Sequence, residues 1–118
     1  MPAPLAPSPP AASAAAEALA ALGAVQGVSV CFANPGTTEI FFSAALAGAG
    51  GPGAPAPRIR TLLALHETVA TGAADGFFRV ARRPAATLLH LGVGLMNGLS
   101  QLHNARRARS TVVVRGPR

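Results

Sequence analysis

The stretch LLALHETVATGAADGFFRVARRP, residues 62–84, contains an apolar run, a carboxylate and an amphipathic segment in direct succession. The apolar run has the length of a buried strand, and the segment that follows has helical periodicity up to Pro84, which marks its end. The buried face of this helix is predicted to carry four apolar residues: Val69, Ala73, Phe77 and Val80. Strand and helix therefore meet at His66 and Glu67, and the chain has only four acidic residues in all.

The same alternation of strand and helix recurs along the chain. A Pro-rich, flexible lead at residues 1–10 precedes a predicted helix from Ala11 to about Gln26. The further predicted elements are strand 28–33, helix 37–51, strand 58–65, helix 66–83, strand 85–92, helix 94–109 and strand 110–116. Apolar strands that are joined through helices indicate a parallel sheet with helices on both faces. The predicted fold class is therefore α/β, with four strands and one domain at 11–118.

Two helices of this scheme have features of their own. Thr37 or Thr38 is expected to cap the second helix, and Glu39 suits the positive end of its first turn. The last helix is expected to bury a stripe of leucines: Leu95, Leu99 and Leu102.

Composition excludes several classes of function. The 118 residues carry a net charge of +6, but all ten basic residues are Arg, they are scattered except for ARRARS at residues 105–110, and Trp and Tyr are absent. Nucleic-acid binding is therefore not expected, because it needs basic residues gathered on one face. Cys31 is the single cysteine and lies in an apolar run, which favours a buried thiol and a reducing, cytoplasmic location. No uninterrupted apolar stretch is long enough to span a membrane, so no membrane partner is expected.

Polar residues and glycines follow each of the first three predicted strands. In an open parallel sheet, the carboxyl ends of the strands share one edge, and ligands bind there. The residues brought to this edge are Asn34, Pro35, Gly36 and Thr37, then His66 and Glu67, then His90, Gly92, Gly94 and Asn97. This convergence predicts a binding site at that edge.

The residues alone do not decide the chemistry of this site. Glu67 is placed either to stabilise a helix N-terminus or to act as a working carboxylate. GVGLMNG, residues 92–98, is one residue too long for a dinucleotide fingerprint, and a chain without lysine has no phosphate loop. The three histidines and Glu67 lack the spacing of a zinc site. Ser100 lies in mid-helix, away from the edge, so a serine nucleophile is not indicated.

Four motifs, taken in order and spacing, carry a resemblance. FANPGTTE, LALHETVATGAADGFFRV, HLGVGLMNGLSQLHNARRARS and TVVVRG resemble the N-terminal pyrimidine-binding domain of thiamine diphosphate-dependent enzymes. The similarity is greatest to the branch that contains acetolactate synthase-like proteins and benzoylformate decarboxylase, and it runs from about Ala16 to the C-terminus. One departure is Val93, where many members have proline between the two glycines.

The resemblance implies roles for the residues at the sheet edge. In this family the glutamate at the position of Glu67 hydrogen-bonds N1′ of the cofactor's aminopyrimidine ring and so promotes removal of the thiazolium C2 proton. Apolar neighbours such as Leu63, Leu65 and Val69 are expected to raise the pKa of this carboxyl, whereas the helix N-terminus lowers it. The positions matching the cofactor-binding turns are Asn34, Pro35, Gly36, Gly92, Gly94 and Asn97.

His90 and Thr37 match positions near the substrate in this family. The resemblance implies that His90 transfers a proton to or from a 2-oxo acid, while a structural hydrogen bond would also explain a histidine at a strand end. Thr37 falls where benzoylformate decarboxylase has a substrate-contacting serine, and helix capping explains it equally well.

The family's Mg²⁺ and diphosphate site belongs to a C-terminal domain that has no counterpart among these 118 residues. The resemblance therefore implies an incomplete pyrimidine-binding domain, inactive alone, that needs Mg²⁺ and diphosphate contacts from an absent domain or from a homologous or separate subunit, in an oligomer. One alternative is a non-catalytic remnant or interaction module that associates with a full-length homologue. Another is a small nucleotide-binding domain that uses the same edge.

Overall fold

The computed structural model describes residues 9–46 and 59–115. Most of the lead predicted at 1–10, and the glycine-rich segment at the end of the second predicted helix, lie outside the described residues. Helix α1 begins at Pro9, two residues before the predicted start, because proline fits the first turn of a helix, where the backbone N–H has no partner within the helix.

Helices and strands alternate along the chain as predicted. Their bounds are α1 Pro9–Gln26, β1 Val30–Asn34, α2 Ile40–Leu46, β2 Arg60–Leu63, α3 Glu67–Ala81, β3 Ala85–Leu89, α4 Leu91–Arg107 and β4 Val112–Arg115, with a 3-10 turn at Thr37–Glu39 before α2. The observed strands are shorter than the predicted ones: β1 and β4 begin two residues later than predicted, β2 ends two residues earlier, and β3 ends at Leu89 because His90 is already the N-cap residue of α4.

The described strands form one parallel sheet in the order β2-β1-β3-β4. The predicted fold class, a parallel sheet with helices on both faces, is confirmed. Because β1 lies between β2 and β3, the turn that follows β1 adjoins the turns that follow both neighbours. This strand order determines which residues can meet at the carboxyl edge.

Each face of the sheet packs against its own pair of helices. Cys31 and Ala33 of β1 enter a cluster with residues of α1 and α2, whereas Val30 and Phe32 pack with residues of α3. The alternation follows from the period of two along a strand. Burial raises the pKa of the Cys31 thiol to about 11, as befits the buried apolar role predicted for it.

The predicted buried face of α3 is wrong in part. Val69 and Val80 are 58% and 89% exposed, while the buried positions of the helix are Ala70, Thr71, Ala74 and Asp75. Phe77 is partly buried against the sheet. Small residues are buried here because α3 packs closely along α4, where a bulky side chain would not fit.

The predicted leucine stripe of α4 is also wrong in part. Leu99 is 51% exposed, Leu95 and Leu102 are only partly buried, and the buried positions are Gly94, Gly98 and Ala105. The cause is the close approach of the two helices at Gly98, where an added Cβ would lie 2.8 Å from Thr71 Cγ2. Thr71 Oγ1 donates a hydrogen bond to the Gly98 carbonyl oxygen at 3.1 Å and fixes this contact.

Candidate functional site

The turns after β1, β2 and β3 meet at the carboxyl edge of the sheet. Asn34 ends β1, and its side-chain Nδ2 donates to the carbonyl oxygen of Ala64, just after β2, at 2.7 Å. His66 and His90 occupy the N-cap positions of α3 and α4, so both histidines lie where a strand turns into a helix. Leu91, which follows His90, has a φ of 54°, a left-handed conformation that makes this second turn abrupt.

Glu67 is the first residue of α3 and contacts α4. His66 Nδ1 accepts a hydrogen bond from the backbone N–H of Thr68 at 3.1 Å and so caps the helix. Asn97 Nδ2 donates to Glu67 Oε2 at 3.2 Å, and Thr68 Oγ1 donates to the Asn97 carbonyl oxygen at 2.9 Å. At Gly94 a Cβ would lie 3.2 Å from Glu67 Oε1. The carboxylate is therefore held between the first turns of two helices.

The electrostatics of Glu67 favour its charged form. A hydrogen bond from its own backbone N–H at the helix N-terminus lowers the pKa of the Glu67 carboxyl; burial acts in the opposite direction, and Asn97, His66 and His90 lower the pKa further. The expectation that apolar neighbours raise this pKa is not met, because Leu63, Leu65 and Val69 are 73%, 88% and 58% exposed. They do not enclose the carboxyl group in this chain.

A second carboxylate, Glu39, lies at the same edge and contacts His90. Glu39 Oε2 is 2.8 Å from His90 Nδ1 and accepts from the backbone N–H of Gly36 at 2.9 Å, while Thr38 Oγ1 donates to Oε1 at 2.6 Å. Burial raises the pKa of this carboxyl, but the hydrogen bonds from Thr38, His90 and Gly36 outweigh burial and lower the pKa from 4.5 to about 2. Glu39 is thus an ionised, buried acid.

The capping role predicted for Thr37 or Thr38 is wrong. Gly36 occupies the N-cap position, and the Glu39 side chain reaches back to its N–H, because a carboxylate three residues on is well placed to satisfy that donor. The contact between Glu39 and His90 was not predicted from the sequence. The acid three residues after Gly36 is a sequence signal for the cap alone, whereas the contact with His90 depends on a strand order that places β1 beside β3.

The structure brings some of the predicted site residues into contact and leaves others apart. The structure brings together Glu67, Gly94 and Asn97, and it brings Gly36 against the ring of His90, where a Cβ would lie 2.2 Å from Nδ1. Thr37 and Gly92 are exposed and join neither contact. Pro35 lines a separate apolar cavity of about 180 Å³ with Leu63 and Leu88.

Two further properties concern the part of the chain that the structure describes. Within residues 9–46 and 59–115, no three His, Cys, Asp or Glu side chains gather in a way that could hold a metal ion. In the same ranges, no helix has the length and apolar character needed to cross a membrane. His103 and Asn104 are exposed on α4.

Comparison with known families identifies the domain. Residues 13–115 match the family described as "Thiamine pyrophosphate enzyme, N-terminal TPP binding domain". The chain belongs to this family. The predicted resemblance is confirmed, and membership of the thiamine pyrophosphate enzyme family implies thiamine diphosphate as the ligand of the domain.

Curated relatives lie in the branch expected from the motifs. The chain is 62% identical over 88 residues to the Mycobacterium tuberculosis protein named "Putative acetolactate synthase large subunit IlvX", and this match covers 75% of the chain and 16% of the relative. It is 34% identical over 89 residues to benzoylformate decarboxylase of Pseudomonas aeruginosa, covering 75% of the chain and 15% of that relative. The chain therefore spans about a sixth of the length of these thiamine pyrophosphate enzyme relatives.

Solved structures agree in fold. Benzoylformate decarboxylase from Polynucleobacter necessarius matches with a TM-score of 0.67 at 25% identity, over 85% of this chain and 17% of that one. The thiamine diphosphate-dependent 4-hydroxybenzoylformate decarboxylase of Rhodococcus jostii RHA1 matches with a TM-score of 0.68 at 29% identity, over 85% and 17% of the two chains.

Proposed function

We propose that this chain supplies the pyrimidine-binding side of a thiamine diphosphate site in a 2-oxo acid decarboxylase or carboligase, with Glu67 as the acid that contacts the aminopyrimidine ring. The observation that carries the proposal is the position of the Glu67 carboxylate, which lies at the carboxyl edge of the sheet beside Gly94, a buried position without a side chain. Residues 11–118 then form one, partial, pyrimidine-binding domain.

The residues present fit the pyrimidine end of this cofactor. An aminopyrimidine offers ring nitrogens and an exocyclic amine, and a carboxyl group beside glycine backbone is chemistry that can pair with both. Asn97 holds one carboxylate oxygen at 3.2 Å and thereby orients the group. Asn34, Pro35, Gly36 and Gly92 complete the turns around this edge, where Asn34 ties the first turn to the second. When bound, thiamine diphosphate supplies a thiazolium carbon that adds to the carbonyl of a 2-oxo acid.

The protonation state of Glu67 explains why the chain alone would be inactive. A carboxyl that exchanges a proton with a ring nitrogen needs a pKa that matches this task, yet the pKa of Glu67 is lowered in this chain. Leu63 and Leu65, in the segment that leads into α3, are exposed. A second polypeptide that covered them would desolvate Glu67 and raise its pKa. We infer that assembly, not this chain alone, produces the working acid.

His90 and Thr37 are the proposed substrate residues. His90 has a side chain that is 36% exposed, so its ring reaches the surface of the site while Nδ1 is engaged with Glu39. A histidine at this position is suited to proton transfer with a bound 2-oxo acid near neutral pH. Thr37 is exposed at the start of the 3-10 turn, where its hydroxyl is available for a contact with the substrate.

The partner in this proposal is a homologous subunit or a separate diphosphate-binding subunit, which would also supply the Mg²⁺ ligands. Exposed apolar side chains support such an association. They lie at and just after the end of β2 and on the exposed sides of α3 and α4: Leu63, Leu65, Val69, Val93, Met96 and Leu99. Surface patches of this kind mark interaction sites in soluble proteins.

The same exposed apolar residues favour a second candidate, a non-catalytic module that binds a full-length homologue. The two candidates differ in what the carboxylate contributes. A catalytic part needs Glu67 for turnover, whereas an interaction module needs only its apolar surface.

The test is a chimera in which this chain replaces the matching N-terminal segment of benzoylformate decarboxylase from Pseudomonas aeruginosa. We expect the chimera to bind thiamine diphosphate and Mg²⁺ and to decarboxylate benzoylformate, with unchanged rates when the exposed Glu17 of α1 is replaced by Gln as a control. A chimera that assembles with native subunits but neither binds the cofactor nor turns over would contradict the catalytic proposal and support the interaction module.

A further inference from the structure

Glu39 and His90 form a partly buried acid–histidine pair, in which the proposed function assigns a role to His90 but none to Glu39. The Glu39 side chain is 8% exposed, and its Oε2 lies 2.8 Å from His90 Nδ1. The two residues come from turns that follow adjacent strands, so the sheet itself holds them together. An oriented carboxylate of this kind can fix which ring nitrogen of a histidine carries the proton.

The hydrogen bonds around His90 Nδ1 show which ring nitrogen of this histidine carries the proton. The Thr38 hydroxyl has one proton, and it donates that proton to Glu39 Oε1 at 2.6 Å. Toward His90 Nδ1, at 3.3 Å, the same hydroxyl oxygen can therefore only accept. Glu39 Oε2 already accepts from the Gly36 N–H, as a carboxylate does. Both oxygen neighbours of Nδ1 are acceptors, so Nδ1 must carry the proton.

Packing against Gly36 fixes the orientation of the ring. A Cβ at residue 36 would lie within 2.2 to 2.6 Å of His90 Nδ1, Cε1 and Cγ, so the ring lies directly against the glycine backbone. This edge of the imidazole is covered by Gly36, Thr38 and Glu39. The opposite edge, which contains Nε2, is the part of the half-buried ring that can face a ligand.

We propose that Glu39 is a positioning residue that holds neutral His90 in its Nδ1–H tautomer and so presents the Nε2 lone pair as the proton acceptor of the site. A proton taken up at Nε2 makes the ring cationic, the Glu39 carboxylate balances that charge, and the proton leaves again from Nε2. The role in catalysis rests on the proposed function of His90, but the tautomer itself does not.

His66 provides an internal reference in the same chain. Its Nδ1 accepts from the backbone N–H of Thr68 at 3.1 Å, so neutral His66 must carry its proton on Nε2. The structure thus assigns opposite tautomers to two histidines that both occupy N-cap positions at one edge of the sheet. A single spectrum can compare them.

The experiment is a long-range ¹H–¹⁵N correlation spectrum of the imidazole groups in the full 118-residue chain, at a pH where the rings are neutral. We expect the Nδ1–H pattern for His90 and the Nε2–H pattern for His66. An Nε2–H pattern for His90 would overturn the proposal without any substitution. No cofactor or substrate is needed, so failure here and failure of the proposed function are separate results.

Two substitutions test whether Glu39 causes the tautomer. Glu39→Gln keeps the size of the side chain but leaves one acceptor oxygen for three donors, so the tautomer ratio of His90 should shift about tenfold or more toward Nε2–H. Glu39→Ala removes both oxygens and should shift the ratio further. His66 should not change in either variant, and Glu17→Gln should change neither histidine. A His90 pattern that stays Nδ1–H in a folded Glu39→Gln chain would overturn the proposal.

Discussion

Glu39 and Glu67 occupy the same edge of the sheet, each near the start of a helix, yet their surroundings differ. Their side chains are 8% and 13% exposed, so burial alone does not distinguish them. Glu39 accepts from Gly36, Thr38 and His90, whereas the side-chain donor to Glu67 is the exposed Asn97. Three hydrogen bonds from its own turn and the adjacent one fix Glu39 within the chain. The single side-chain donor to Glu67 is consistent with the proposal that this acid contacts a ligand.

The largest expected difference between the two acids is in stability. Glu39→Ala leaves three donors without their acceptor and should lower the free energy of unfolding by about 2–3 kcal/mol. Glu67→Ala removes a favourable charge at a helix N-terminus and should cost less than about 1 kcal/mol. Urea denaturation of both variants, with the exposed Glu17→Ala as control, measures the difference. Equal losses of unfolding free energy in the two variants would contradict the proposed difference between Glu39 and Glu67.

Two glycine-to-alanine substitutions, each of which adds one methyl group, test the same difference between the surroundings of Glu39 and Glu67. Gly36→Ala places a Cβ 2.2 Å from His90 Nδ1 and should destabilise the chain by about 1–3 kcal/mol, since the ring is held by Glu39. Gly94→Ala brings a Cβ 3.2 Å from Glu67 Oε1, a contact that a small shift relieves, and it gains helix propensity of roughly 0.8 kcal/mol. Thermal unfolding should therefore show a clearly lower Tm for Gly36→Ala and nearly the same Tm for Gly94→Ala.

Acid titration isolates the contribution of Glu39. Its pKa is lowered from 4.5 to about 2, so the folded state binds this proton less readily than the unfolded state does. The stabilisation is therefore fully present above about pH 4.5 and is lost as the pH falls toward 2. The difference in unfolding free energy between the native chain and Glu39→Gln should close over that range. A difference that stays constant from pH 6 to pH 2 would contradict the lowered pKa.

The smallest expected effect concerns Asn97. Asn97→Ala removes the side-chain donor to Glu67 Oε2 and should move the pKa of Glu67 upward, toward its ordinary value. The pKa of Glu39 should stay the same, because Asn97 donates no hydrogen bond to it. Carboxyl ¹³C NMR titration of both glutamates follows the two groups in one sample. A shift at Glu39 would show that the two sites are coupled.

The sequence predicted the alternating elements, the parallel sheet and the edge where polar residues gather. Apolar runs and turn residues are local signals, and the topology of parallel sheets follows from them. The buried faces of α3 and α4 could not be predicted, because Gly98 and Thr71 form the contact between them and small residues leave no periodic apolar pattern.

The contact between Glu39 and His90 could not be predicted from local sequence patterns. The two residues are separated by 51 positions, and they meet because β1 lies beside β3, which the order of elements along the chain does not reveal. The direction of the pKa shift of Glu67 was likewise open, since a helix N-terminus and apolar neighbours act in opposite directions. The pKa is lowered because the hydrogen bond from the backbone N–H of Glu67 at the helix N-terminus, with Asn97, His66 and His90, outweighs burial.

The most direct test of the central claim is kcat of the benzoylformate decarboxylase chimera carrying Glu67→Gln. An amide cannot exchange a proton with the pyrimidine ring, so kcat should fall by about 100-fold or more while the chimera stays folded. The Glu17→Gln chimera should keep its full rate. A loss of only a few fold in the folded Glu67→Gln chimera would show that Glu67 is a helix-terminal acid and not the working group of the site.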